Sequence, residues 1–538
     1  MKRPFFILLA FAASLAFADS YPRQPGIDAQ HYIFRVTLSD DSDEINGAAT
    51  IDLKFVQDGL VEAVLDLTSL NAGKGMTVTG VSSGGISVPY THAANRLTLR
   101  LSPVPKTGER RRFDVNYHGV PGNGLHIARN KYGERTFFSW NWPVLARQWL
   151  PLIDHPYDKA TSEFLVTAPS KYQVVANGLL QEESDLGDGR RLTHWKQSVP
   201  IASWLNNIGV AQFATRHFAS AAGVPLQTWV FHQDRDNGII TFEEPMRQAI
   251  EFFSNFIGPY PYEKLAGVQV NGLTGGMEHA SAVFYGERTV TNKPAFGLVA
   301  HEISHQWWGD SVTEKDWDDA WLSEGFATYF ASLATEHYEG RDAFVALMRR
   351  SRATILQMEK RTPGVAVIHD NLPEIENGRA PVGIVYQKGG WTLHMLRDLI
   401  GTDKFRAGLR EYYRIYRDGN ASTSDLRKVI EETSGRDLGW FFEQWLVRAG
   451  SPVVEGNWIY DAQGKKIVVE LEQTQPGDAF RLPMEIGFKT ESGAAWSTAK
   501  VEMTGKVGRF EIASDKLPAS VELDPNVRVL MDAKLVRK

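Results

Sequence analysis

Two histidines four residues apart, His301 and His305, enclose a glutamate, Glu302, and a further glutamate, Glu324, follows after an eighteen-residue gap (306–323). In a helix of 3.6 residues per turn, positions i and i+4 return to nearly the same azimuth, so both imidazoles can grip one metal ion. Zinc takes His nitrogen and carboxylate oxygen at about 2.0–2.2 Å, and a hydrolytic site uses three protein ligands and leaves a fourth position for water. Glu324 is the natural third ligand. It lies in Trp317-Asp318-Asp319-Ala320-Trp321-Leu322-Ser323-Glu324-Gly325-Phe326-Ala327, a helix-forming stretch that continues to about Tyr338, so a second helix packed on the first would present its carboxylate. Glu302, about 100° round the helix from His301, points beside the metal and can serve as a base. The competing reading is a solvated helix with two ordinary histidines, and the carboxylate in a second helical segment weighs against it.

The elements that must position these residues follow from length and pattern. At 538 residues the chain exceeds what one hydrophobic core serves, so two to four domains are expected. A net charge of −6 argues against a nucleic-acid footprint or binding to an anionic membrane, and the isolated Arg110-Arg111-Arg112 cluster reads as a solvated strand edge. With no cysteine, neither disulfides nor thiolate ligands are available. Residues 1–18 carry Lys2 and Arg3, an apolar run from Pro4 to Phe17 and a small-x-small ending, Ala16-Phe17-Ala18. This pattern is a signal peptide, which implies export to a bacterial periplasm or the medium. The run is shorter than the ~20 residues a spanning helix needs, so no stable membrane insertion is expected once the leader is removed.

From 19 to 217 short alternating runs such as Tyr32–Leu38 and Ala49–Phe55 predict an antiparallel β-domain. From 218 to 450 helices dominate after a strand near Pro225–Phe231, beginning with Phe242–Ile257. Further helices are expected at Phe296–Trp308, Ser323–Tyr338, Asp342–Glu359, Gly389–Ile400, Thr402–Tyr416, Ser424–Thr433 and Leu438–Leu446, with Thr423 or Ser424 as an N-cap. Alternation returns over 451–538, with a hairpin turn at Asp461-Ala462-Gln463-Gly464. The expected fold class is therefore multi-domain α+β.

Three ordered signatures stand out: Gly275-Gly276-Met277-Glu278-His279, then His301–Thr313 with Glu324-Gly325-Phe326-Ala327, then Tyr386-Gln387-Lys388-Gly389. Together they resemble the zinc aminopeptidases typified by aminopeptidase N, a family that also includes the leukotriene hydrolase. A weaker fourth, Ala146–Asp154, looks like the family's amino-domain signature. The resemblance implies an amino-terminal β-domain, a thermolysin-like α/β catalytic domain and a small carboxyl-terminal β-sandwich, with the site where the first two meet. It also implies a comparatively open cleft, because only a short β-type segment follows Ser451.

Carried over residue by residue, the resemblance implies one zinc ion on His301, His305 and Glu324, with Glu302 as general base. Tyr386 would donate to the oxyanion of the tetrahedral intermediate. Gly275, Gly276 and Met277 would run alongside the substrate like an added strand, and Glu278 would counter a free α-ammonium. The implied substrates are peptides with a free amino terminus. Ala331 stands where relatives often carry an acid, and Asp319 is the candidate to replace it as an orienting partner for an imidazole. Trp140-Asn141-Trp142 stands where relatives often carry a glutamine that binds the amine, and its tryptophans either wall the first pocket or pack between domains. Two rival readings remain open at this level: an endopeptidase or epoxide hydrolase of the same fold, and a non-catalytic binding protein that has retained it.

Overall fold

The structure, a computed structural model, describes residues 19–370, 383–493 and 495–538. The leader expected at 1–18 lies outside the described residues. The architecture is multi-domain α+β, in three parts.

The amino-terminal part is built on an eight-stranded sheet whose central strands run Arg190–Ala202, Lys159–Pro169, Ile27–Thr37, Ile45–Phe55 and Arg110–Val120. Along Lys159–Pro169 buried and half-buried residues alternate strictly, because successive side chains point to opposite faces. The expectation of a purely antiparallel domain needs one correction: Ile27–Thr37 pairs in parallel with Lys159–Pro169, from His31↔Thr161 to Thr37↔Thr167. The long chain segment between these two strands is what permits it, since parallel neighbours need a crossover and a hairpin cannot supply one. The arginine cluster sits on a strand end, with Arg110 and Arg112 both on Asp52.

A five-stranded mixed sheet follows in the order Phe213–Ala221, Val224–Phe231, Leu265–Val270, Ala282–Gly286 and Gly276–Met277. Its first strand straddles the domain boundary expected at 217/218. The three inner strands are parallel and almost wholly buried, as a sheet covered on both faces must be. Alternate residues show what covers it. Val283 and Tyr285 join the helical core, whereas Ala282 and Phe284 join the core of the amino-terminal part.

The helical layer contains Glu244–Phe256, Phe296–His305, Trp321–Glu339, Arg341–Arg361, Gly389–Ile400, Thr402–Tyr416 and Thr423–Ser434. The N-cap expected at Thr423 or Ser424 is instead Ser422, which forms a capping box with Asp425. Thr423 is otherwise engaged, its hydroxyl donating to Asp319 and accepting from the Trp321 indole. The run expected at Leu438–Leu446 is a short α-turn, Gly439–Phe442, that widens into a π-turn over Glu443–Val447. Last come a four-stranded and a three-stranded sheet built from Val453 onward. Asp461 caps their first turn by accepting from the Gln463 and Gly464 N–H groups. Residues of both sheets, among them Ile467, Leu482 and Ile486, share one continuous core with the helical layer.

Candidate active site

The imidazole helix Phe296–His305 and the carboxylate helix Trp321–Glu339 pack side by side, and three donor atoms meet between them. His301 Nε2 and His305 Nε2 are 3.3 Å apart, and Glu324 Oε2 lies 3.5 Å from the first and 3.3 Å from the second. Four tetrahedral ligands at about 2.0–2.2 Å from zinc stand about 3.3–3.6 Å from one another. The triangle therefore has the edge lengths of one face of a zinc tetrahedron.

His305 Nδ1 sits 3.1 Å from the Trp308 carbonyl oxygen and 3.0 Å from the Ser323 hydroxyl. A carbonyl can only accept, so Nδ1 carries the hydrogen and Nε2 turns its lone pair toward the other donors. This corrects the expectation for Asp319, whose carboxylate is held by Thr423 and reaches neither imidazole. The neutral partners Trp308 and Ser323 orient the ring instead. The side chain of His305 is 1% exposed and that of His301 20%, so the centre opens on the His301 side.

Three features surround this triangle. Glu302 is buried beneath Gly276, where a Cβ would fall 2.4 Å from the Glu302 carboxyl carbon. Gly276–Met277 forms the last strand of its sheet, with Gly276 opposite Tyr285 and Met277 opposite Phe284, and among the described residues no strand pairs with its outer edge. Gly275 enters that strand at φ +89°, a backbone that favours glycine, and its carbonyl accepts from the Gly286 N–H. Glu278 is buried; one of its carboxylate oxygens, a His305 nitrogen and a Glu324 oxygen lie within 4.8 Å of one another, and its Oε1 has no hydrogen-bond partner.

Tyr386 comes from the opposite wall, on a π-turn over Ile384–Lys388 that leads into Gly389–Ile400. Such turns widen a helix locally and recur at functional sites. Its hydroxyl donates to Glu324 Oε1, and its ring lies parallel to His301 at 6.2 Å. Two glycines make this approach feasible. A Cβ on Gly325 would meet the Gly389 carbonyl carbon at 2.9 Å, so the two helices cross with their backbones touching.

Two family models match the chain: the Peptidase M1 N-terminal domain over residues 28–205 and the Peptidase family M1 domain over residues 242–445. The chain belongs to peptidase family M1. Rat glutamyl aminopeptidase is 27% identical over 374 residues, which is 65% of this chain and 39% of that protein. The tricorn protease-interacting factor F2 of Thermoplasma acidophilum is 28% identical over 446 residues, covering 78% of this chain and 52% of its own. The chain thus spans about two fifths to one half of the length of these curated relatives. Among solved structures, a mutant of the M1 zinc metallopeptidase from Deinococcus radiodurans superposes with a TM-score of 0.68 at 25% identity, over 79% of this chain and 95% of that one. A two-domain M1 zinc metallopeptidase mutant bound to L-tryptophan aligns equally well, at 0.68 and 25%.

The electrostatics of the M1 centre call for a cation. Burial alone would lower the His305 pKa, but Glu278 and Glu324 outweigh it and raise it well above the ordinary histidine value. Burial would likewise raise Glu324, yet His305 and His301 hold it down to about 2. Glu278 is pushed up to about 7 by burial, with Glu324 adding to it, and Glu302 is held well above the carboxylate range by burial and by Glu278. Burial and the Glu324 carboxylate also keep the Tyr386 phenol protonated. Three crowded acids with one unpartnered oxygen each on Glu278 and Glu324 suit a divalent ion and an ammonium group.

The M1 site also contains residues that sequence reasoning passed over. Gln306 donates from Nε2 to the Glu278 carbonyl and to Asp310 Oδ2, both at 2.8 Å, while its Oε1 accepts from the Ser281 N–H and the Tyr260 hydroxyl. It clamps the Glu278 segment to the end of the imidazole helix. Lys388 anchors the Tyr386 turn by donating to Glu359 and to the Gly450 carbonyl. Both residues lie within the quoted signatures, but their burial is a tertiary fact that the sequence does not carry. Of Trp140-Asn141-Trp142, Asn141 donates to the Asn206 carbonyl and accepts from the Trp149 indole, and Trp142 lies edge-on to Trp317, so these two residues make packing contacts. His279 is wholly buried against Phe284, and burial pulls its pKa down to about 3, so it is a neutral core residue.

Proposed function

We propose that this chain is a zinc-dependent aminopeptidase that hydrolyses the amino-terminal peptide bond of peptides. The observation that carries this reading is the buried, unpartnered Glu278 oxygen beside the three-donor triangle, since an internal peptide bond offers nothing to neutralise it. His301, His305 and Glu324 would hold one zinc ion. Bound there, zinc supplies Lewis acidity that polarises a carbonyl and makes water more acidic.

The remaining steps belong to the chain's own residues. Glu278 binds the substrate α-ammonium and so places the first peptide bond, and no other, at the centre. The outer edge of Gly276–Met277 pairs with the extended substrate backbone. Glu302, roofed by Gly276, takes the proton from attacking water on its carboxylate and returns it to the leaving amine. The Tyr386 hydroxyl turns from Glu324 to the carbonyl oxygen as negative charge develops there, a role worth about 3–4 kcal/mol for comparable oxyanion donors.

Peptides with free and acetylated amino ends test the reading. The free peptide should be cleaved and its acetylated form resist, and Glu278→Ala should erase the difference. Equal cleavage of both forms by the unaltered enzyme would overturn the assignment. Export is part of the proposal, carried by the composition of residues 1–18. Amino-terminal sequencing of the exported protein should begin at Asp19, and retention of the leader in a cytosolic product would refute it.

A further inference from the structure

A cavity of about 380 Å³ adjoins the centre, with His301 and Tyr386 in its wall. Neither Glu278, Glu302, His305 nor Glu324 lines it. Glu278 sits instead with His305 and Glu324. The amine anchor and the cavity therefore occupy opposite ends of the donor cluster, one at His305 and the other at His301. A substrate whose ammonium rests on Glu278 must send its leaving portion past His301 toward this space.

The charges at the two ends are opposite. Glu278, Glu302 and Glu324 crowd the amine end, whereas among the described residues no acid lines the cavity. Its cation is Arg350, exposed on the helix Arg341–Arg361, and among the described residues no carboxylate pairs with it. The next residue of the same helix, Ser351, also lines the cavity, and its hydroxyl donates to Gln387 Oε1 at 2.7 Å. That bond fixes which end of the Gln387 amide is an acceptor already in use, leaving Nε2 as a donor at the cavity wall. Ala331 contributes only a methyl group there, and the room beside it stays open.

We propose that this cavity receives the residue following the scissile bond, and that Arg350, with Gln387 Nε2, binds a carboxylate carried by that residue. The carboxylate is either the α-carboxylate of a dipeptide or an acidic side chain. Guanidinium recognises both by the same pair of parallel N–H bonds. The inference rests on the aminopeptidase reading, and it makes a dipeptide zwitterion complementary to the site at both of its ends.

Three substrates sharing one well-cleaved first residue test it: X-Ala, X-Ala-amide and X-Glu-amide. For the wild type, kcat/KM for X-Ala, for X-Glu-amide or for both should exceed that for X-Ala-amide by about ten- to hundredfold, as hydrogen bonds to a charged group allow. Whichever acid is preferred identifies the source of the carboxylate. Arg350→Ala should bring the ratio near one, Arg350→Lys should keep part of it, and Arg350→Glu should drive it below one. Equal treatment of all three substrates by the wild type overturns the proposal, as does an unchanged ratio in Arg350→Ala. Wild-type turnover of an aminoacyl-arylamide separates the two levels. Its absence sinks the aminopeptidase reading, whereas arylamide turnover without acid-over-amide preference sinks this inference alone.

Discussion

Replacing Glu302 by alanine removes the carboxylate roofed by Gly276 and leaves all three donor atoms in place. Loss of a general base costs about two to four decades of rate, so kcat should fall by that much while bound zinc is unchanged. Gly276→Ala makes a sharper claim. The added methyl would overlap the Glu302 carboxyl carbon at 2.4 Å, with no room on the roof side, so turnover should fall by at least about tenfold with no ligand altered. Near wild-type kcat/KM in Gly276→Ala would show that the roof is not needed. At this scale the spacing of His301, Glu302 and His305 was legible because helical azimuth is set by backbone geometry alone. The orienting partners of His305 were not, because a backbone carbonyl and a serine hydroxyl leave no distinctive trace in a sequence, whereas the acid sought at Asp319 did.

The elements matter through where they touch. Gly325 and Gly389 allow the carboxylate helix and the Tyr386 helix to cross at backbone contact, and this brings the Tyr386 hydroxyl onto Glu324. Gly325→Ala should force the pair apart, destabilise the fold by about 1–3 kcal/mol and lower kcat. Urea unfolding and steady-state kinetics check the two effects, and wild-type values for both would remove the crossing from the account. Helix positions were readable from apolar periodicity, and Gly389–Ile400 and Thr402–Tyr416 fall where that periodicity places them. Direction of strand pairing was not. A strand with one buried face alternates identically whether its neighbour runs parallel or antiparallel, which is why Ile27–Thr37 beside Lys159–Pro169 escaped. The cap at Ser422 was missed for a related reason: Ser422, Thr423 and Ser424 are all acceptable caps, and only the tertiary bonds of Thr423 to Asp319 and Trp321 decide among them.

In the whole molecule, the central sheet lies between the amino-terminal core and the helical core, and the centre sits at that junction with its open side at His301. The carboxyl-terminal part is tied to the helices by the loop that follows Ser520–Leu523, where the Val527 carbonyl accepts from His394 and Arg352 pairs with Asp524. All of this converges on one claim, that His301, His305 and Glu324 share a single zinc ion. Elemental analysis of the purified protein measures it directly. About one zinc per chain is expected for the unaltered protein and for Glu302→Ala, and close to none for Glu324→Ala. Stoichiometric zinc in Glu324→Ala, or none in the unaltered protein under zinc-replete conditions, would contradict the account.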